Sequence, residues 1–165
     1  SGDRRLRMDG RVSGLTIRSA TLADIPRIAE IYCAARLIAY DGLVPEADLI
    51  ASAAPDRPKW RELLEDEGVT FLVGERDGEI LVMAVLEGSK LESLHVDPAA
   101  HGGGVGKALL AHCHALAGPG MELYCLAGND RAIGFYEKAG MQRTGTVDQM
   151  IYGTRYDAVR FAYDD

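Results

Sequence analysis

The segment Val96-Asp97-Pro98-Ala99-Ala100-His101-Gly102-Gly103-Gly104-Val105-Gly106-Lys107 constrains this chain more than any other. A β-type run ends at Asp97-Pro98, four glycines fall within residues 102–106, and an apolar-periodic helix opens near Val105. A glycine turn between a strand and a helix N-terminus leaves backbone N–H groups unpaired at the positive end of the helix dipole. That arrangement favours an anion, usually a phosphate. Missing β-carbons let the ligand approach the backbone closely.

Periodicity around this turn predicts a mixed α/β domain. Residues 15–18 alternate as a strand. A helix with Asp24 as N-cap follows over 25–37, carrying Ile25, Ile28, Ala29, Tyr32 and Cys33 on one face, and Asp41-Gly42 ends it. Residues 44–53 and 56–67 read as short helices, the second burying Trp60. Runs 69–76 and 79–87 form a hairpin through Asp77-Gly78, and 90–96 is a third strand. After the glycine turn a helix buries Val105, Leu109, Cys113 and Leu116. A strand over 121–127, a helix capped by Asn129, and strands over 141–148 and 156–163 complete the order. The last strand is expected to be a free edge able to pair with a second copy in a homodimer.

Residues 1–14 are expected to form a flexible arm or cloning remnant, and 15–165 a single domain. The formal net charge of −7 weighs against nucleic-acid binding and is compatible with a cationic acceptor. No apolar run approaches the roughly 20 residues that span a bilayer, and no apolar signal region opens the chain, so a cytoplasmic protein is expected. Cys33, Cys113 and Cys125 form no CxxC pair and sit in apolar segments. His112 and His114 point to different helix faces, so no metal site is expected.

Two phosphate motifs fail here. A P-loop needs Gly where His101 stands and a hydroxyl where Ala108 follows Lys107, which weighs against an ATP site. A dinucleotide fingerprint starting at Gly102 needs Gly at position 107. What remains is a strand, V-D-P, a glycine loop and a helix. About 25 residues later comes Asn129-Asp130-Arg131-Ala132-Ile133-Gly134-Phe135-Tyr136-Glu137-Lys138-Ala139-Gly140. On these two motifs, and on element order over 15–163, the chain resembles the GNAT superfamily of N-acetyltransferases.

The resemblance implies a central, mostly antiparallel sheet of about seven strands flanked by helices, with acetyl-CoA as co-substrate. The loop His101, Gly102, Gly103, Gly104, Val105 and Gly106 would hold the pyrophosphate through its N–H groups, with Lys107 as an added charge. His101 departs from the family's usual Gln or Arg, and Gly103 from a side chain that is often basic. The strand before the loop would hold the pantetheine arm through backbone at His95 and Val96, with Asn129 and Ala132 meeting the cofactor from the second helix. A backbone N–H near the same strand is placed to stabilise the oxyanion. Non-catalytic acyl-CoA binding on the same fold is the alternative.

Acetyl transfer to an amine needs a neutral amine, a stabilised oxyanion and a proton for the thiolate. Alkylammonium ions have a pKa near 10.4, so a general base helps. Tyr136, seven residues after Asn129 on nearly the same helix face, is the expected acid. Glu92 is the expected base, with His95 the competitor and Tyr124 and Glu30 weaker. Alternation puts Glu92 with Leu94 and Ser93 with His95, unless a bulge intervenes. The acceptor, an amine-bearing small molecule or peptide, is expected between 37–45 and 148–155, at Tyr40, Asp41, Tyr152 and Arg155.

Overall fold

The computed structural model describes residues 14–164; the arm expected over 1–14 lies outside it except for Gly14. In chain order the elements are β1 (Thr16–Ser19), α1 (Ile25–Ala39), α2 (Glu46–Ser52), α3 (Pro58–Glu65), β2 (Val69–Arg76), β3 (Glu79–Glu87), β4 (Lys90–Val96), α4 (Val105–Ala117), β5 (Glu122–Leu126), α5 (Asp130–Lys138), β6 (Gln142–Ile151) and β7 (Thr154–Ala162). Short 3-10 turns at Leu22–Asp24 and Pro98–Ala100 precede α1 and the glycine loop.

One sheet of seven strands runs in the order β1-β2-β3-β4-β5-β7-β6. Every neighbouring pair is antiparallel except β4 with β5. The mixed sheet expected from the resemblance is therefore present. Helices cover both faces. Ile25, Ile28 and Ile31 of α1 and Trp60 of α3 pack on Phe71, Val73, Met83 and Val85. On the other face, Leu109, Leu110 and Cys113 of α4 pack with Val82, Ala84, Leu86, Leu123 and Phe161. Removing each such large side chain from water contributes about 1.5–3 kcal/mol.

Three local expectations change. Asp24 does not cap α1 through its side chain. Its carboxylate is taken by Arg18 at 2.7 Å and by the Thr21 N–H at 2.8 Å, and Thr21 starts the helical segment in a capping box. Leu116 lies off the buried stripe of α4 and is exposed, because the stripe continues from Leu109 to Cys113. The final strand, expected as a free edge, lies inside the sheet between β5 and β6, and the outer position beside it is taken by β6.

The site depends on two irregularities around β4. Its register against β3 runs Val85↔Ser93 and then Leu86↔Leu91, so Glu92 has no opposite residue and forms a β-bulge. Its pairing with β5 is confined to Lys90↔Glu122, reinforced by the Glu122 N–H donating to the Ser89 carbonyl at 2.9 Å. Beyond that point the two parallel strands separate and leave a wedge in the middle of the sheet.

Candidate active site

The wedge continues into a cleft of about 400 Å³ that reaches from the splayed strands to the glycine loop. One wall is the β4 backbone. The Asp97 N–H donates to the Leu81 carbonyl at 2.8 Å. In an antiparallel ladder, backbone groups of alternate residues point the same way. The groups of 97, 95 and 93 therefore turn to β3, and those of Val96 and Leu94 turn into the wedge. His95, expected as a backbone partner of the cofactor, instead pairs with Met83. The Leu94 backbone, with that of Val96, is the part of β4 that faces the wedge.

The loop closes one end of the cleft. Gly102 and Gly104 adopt left-handed backbone with φ of 81° and 80°, which L side chains rarely tolerate. Gly104 is the N-cap of α4 and carries no side chain to satisfy the first turn. Among the described residues, the N–H groups of Gly102, Gly104, Val105, Gly106 and Lys107 have no hydrogen-bond acceptor. Five donors thus converge on one helix N-terminus, which suits a polyanion. Gly106 serves packing: a β-carbon there would lie 2.9 Å from Val96 Cγ2, so any larger residue would force α4 and Val96 apart.

Side chains add positive charge at this end. Lys107 lines the cleft, and so does Arg131 from the first turn of α5, a residue the sequence reading passed over. The Arg131 guanidinium donates to His101 Nδ1 at 3.2 Å. Partial burial, and then the Arg131 charge, depress the His101 pKa below its usual value, leaving a neutral ring able to accept that bond. Gly103 does not line the cleft. A signal was available in the N-x-R-A spacing, since the first turn after an N-cap faces the neighbouring loop.

The second helix is placed as its motif predicts. The Asn129 carbonyl oxygen accepts from the Ala132 N–H at 3.3 Å and caps α5, so its amide nitrogen is the group left for a ligand. Asn129, Ala132 and Tyr136 all line the cleft. Tyr136 is buried, with its ring 5.2 Å from Phe135 and 5.9 Å from Phe161. Phe135 is half-buried and lines the cleft as well. The Tyr136 hydroxyl makes no hydrogen bond with a described residue, and burial pushes its pKa well above the usual tyrosine value. The proton is held on oxygen at all working pH.

Glu92 lines this cleft and also a smaller cavity on the α1 and α3 face. The bulge puts it beside Ser93 in that cavity rather than on the Leu94 side of the strand. Its carboxylate is about one-third exposed and lies 3.3 Å from Lys90 Nζ. The His95 ring meets Tyr32 edge-on at 5.3 Å. Burial first, and then the nearby Arg36 charge, push its pKa down to about 3, which makes it a feeble base. Tyr124 lines the cleft but donates to Glu122 at 2.9 Å. Glu30 is exposed, pairs with Arg27 at 3.2 Å and is not at the cleft.

The expected acceptor residues divide. Tyr40 lines the cleft. Tyr152, at positive φ in the β6–β7 turn, accepts from Arg36 Nη2 at 2.8 Å. Asp41 is an exposed turn residue, and Arg155 is exposed and pairs with Asp148 at 3.3 Å; neither lines the cleft. Arg36, which the sequence reading did not single out, is 6% exposed and ties α1 to Ser52 and Tyr152. Among the described residues no cluster of His, Cys, Asp or Glu could hold a metal ion, and no helix is long and apolar enough to cross a membrane.

Comparisons with known proteins bear on the family and the fold. The family described as acetyltransferase (GNAT) domain matches residues 67–143, which span β2 to the start of β6. Peptidyl-lysine N-acetyltransferase YjaB of Escherichia coli (strain K12) is 29% identical over 154 residues, covering 90% of this chain and 97% of that protein. Its Salmonella typhimurium counterpart is 30% identical over 117 residues, covering 70% of this chain and 72% of that protein. The structure of yncA from Salmonella typhimurium with its cofactor acetyl-CoA superposes with a TM-score of 0.60 and 26% identity, covering 93% of this chain and 96% of that one. The chain belongs to the GNAT superfamily of acetyl-CoA-dependent N-acetyltransferases.

Proposed function

We propose that this protein moves the acetyl group of acetyl-CoA directly to a primary amine, with Tyr136 as the acid and Glu92 as the base. The observation that carries the reading is the wedge between β4 and β5. It joins a phosphate-binding helix terminus to a protonated, unpartnered tyrosine hydroxyl along one continuous cleft. The pyrophosphate sits on the N–H groups of Gly102 and of residues 104–107, with Lys107, Arg131 and His101 beside it. The pantetheine arm extends β5-side along β4, bonding backbone at Leu94 and Val96, with Asn129 and Ala132 on the opposite wall.

The amine nitrogen attacks the thioester carbonyl carbon, and a β4 N–H facing the wedge stabilises the oxyanion. The carbon–sulfur bond then breaks. The proton lost by the amine passes to Glu92, directly or through water, and the Tyr136 hydroxyl proton goes to the CoA sulfur. The peptidyl-lysine activity named for the two relatives supports a primary amine as acceptor. A cytoplasmic setting fits three free cysteines.

Tyr136→Phe tests the assignment. It removes a hydroxyl with no hydrogen-bond partner and keeps the ring packing, so acetyl-CoA affinity by calorimetry stays near wild type, with ATP as the non-binding control. Turnover falls about 10²-fold or more, the usual worth of a positioned acid. A drop of less than about threefold removes Tyr136 from the mechanism.

A further inference from the structure

The smaller cavity lies behind the β4 bulge, on the face covered by α1 and α3, and measures about 230 Å³. Tyr32, Arg57, Lys59, Trp60, Glu92 and Ser93 contribute its polar and aromatic lining. Glu92 and Ser93 also line the cofactor cleft, so the two cavities meet at the bulge, where the reacting carbonyl belongs. Two cations face the smaller space. Arg57 donates one N–H to the Ser52 carbonyl. Among the described residues, neither Arg57 nor Lys59 has a carboxylate within ion-pair distance. The carboxylate that does line the cavity, Glu92, is already neutralised by Lys90.

A third cation stands behind the wall. The Arg36 guanidinium lies 4.3 Å from the centre of the Tyr32 ring, and its hydrogen bonds go to Ser52 and Tyr152, not to a carboxylate. A buried cation without a counter-charge is costly unless something offsets it; aromatic faces do so in part. The chain as a whole carries −7, so this corner reverses the sign of the molecule. Positive charge lining a small, partly enclosed space concentrates anions.

We propose that this cavity is the acceptor subsite and that it holds an anionic group of the amine substrate, so that the acceptor is a small, carboxylate-bearing amine of amino-acid size. At about 230 Å³ the cavity is smaller than the roughly 300–1,000 Å³ that takes drug-sized ligands. Arg57 and Lys59 hold the carboxylate, Tyr32 and Trp60 flank the carbon skeleton, and the amine points past Glu92 to the thioester. The proposal rests on the acetyl-transfer reading above and adds the class of acceptor to it.

The test uses the full chain with acetyl-CoA and a panel of common amino acids, each beside its own carboxamide, together with a lysine peptide of neutral flanks. Released CoA thiol and product mass report turnover. At least one amino acid exceeds its carboxamide in kcat/KM by about tenfold or more, the size of one charge-assisted hydrogen bond. Arg57→Gln and the exposed Lys59→Gln each shrink that ratio through KM, with kcat at saturation retained. Carboxamides or the neutral peptide turned over as well as the acids overturn the proposal. So does a protein that binds acetyl-CoA yet acetylates no amino acid in preference to its amide. Failure to bind acetyl-CoA by calorimetry is a different result, which overturns the acetyl-transfer reading itself.

Discussion

Among the described residues, two glycines sit inside helices, and the same substitution should act on them with opposite sign. Gly134 is exposed on α5, with negative φ and nothing within 4 Å of the position a β-carbon would take. Gly134→Ala therefore gains the helix preference of alanine, about 1 kcal/mol, with no steric cost. Gly106 in the first turn of α4 is buried, and its added β-carbon would lie 2.9 Å from Val96 Cγ2 and 3.6 Å from the Phe135 ring. The same propensity gain is opposed there by overpacking of about 1–3 kcal/mol. Gly106→Ala should be neutral to destabilising by about 2 kcal/mol. The gap between the two variants, about 1–3 kcal/mol, measures how closely α4 is pressed on β4. Urea unfolding with a common m-value reads both. Because Val96 walls the wedge, Gly106→Ala also weakens acetyl-CoA binding, whereas Gly134→Ala does not. Equal stabilisation by both substitutions would falsify the argument that Gly106 exists for helix–strand approach.

Three further outcomes follow from the charges and thiols. The Arg18 hydrogen bond, opposed by burial and helped by Thr21, lowers the Asp24 carboxyl from an ordinary 3.8 to about 2. Its folded-state stabilisation is complete above pH 4 and disappears as pH falls towards 2, so Asp24→Asn flattens the acid limb of a stability–pH curve. His95, held down to about 3 by burial and Arg36, leaves no inflection near pH 6.5 in kcat/KM. The unfolded chain takes up that proton first, so stability falls as pH drops from 6.5 towards 3, and His95→Gln removes that slope. Burial pushes Cys113 up to about 12 and Cys125 up to about 11, while Cys33 is half-buried. A thiol reagent at pH 8 should modify Cys33 first in the native protein and all three thiols in urea; rapid labelling of Cys113 in the native state would contradict the packing of α4.

The element order, the hairpin at Asp77-Gly78, the glycine turn before α4 and the Asn129 cap were legible in the chain because each is local. Turn chemistry, periodicity and capping act within a few residues, and a motif such as 129–140 carries its own helix face. Periodicity put Asn129 and Tyr136 on one helix face, and the family resemblance pointed that face towards the cofactor. The corrections came where an element's neighbours are set by how the elements pack, not by the element's own residues. Whether β7 is an edge depends on where β6 lies, and the Asp24 carboxylate went to Arg18 because β1 passes beside it.

The site itself shows the same division. The residue types needed for acetyl transfer are visible as letters, yet their geometry comes from the bulge at Glu92 and the parting of β4 from β5. The bulge turns Glu92 into a second cavity, and the parity of the β3 ladder gives the wedge the backbone of Leu94 and Val96 instead of His95. Arg131 reaches His101 across 30 residues, and Arg36 reaches Tyr152 across 116. By itself the sequence determined the local elements and the chemistry they carry, because short-range sterics and hydrogen bonding dictate both. Only the tertiary structure decided strand register, which cations lie buried without a carboxylate, and which side chains share a cavity. Those are properties of long-range packing, and no spacing along the chain encodes them.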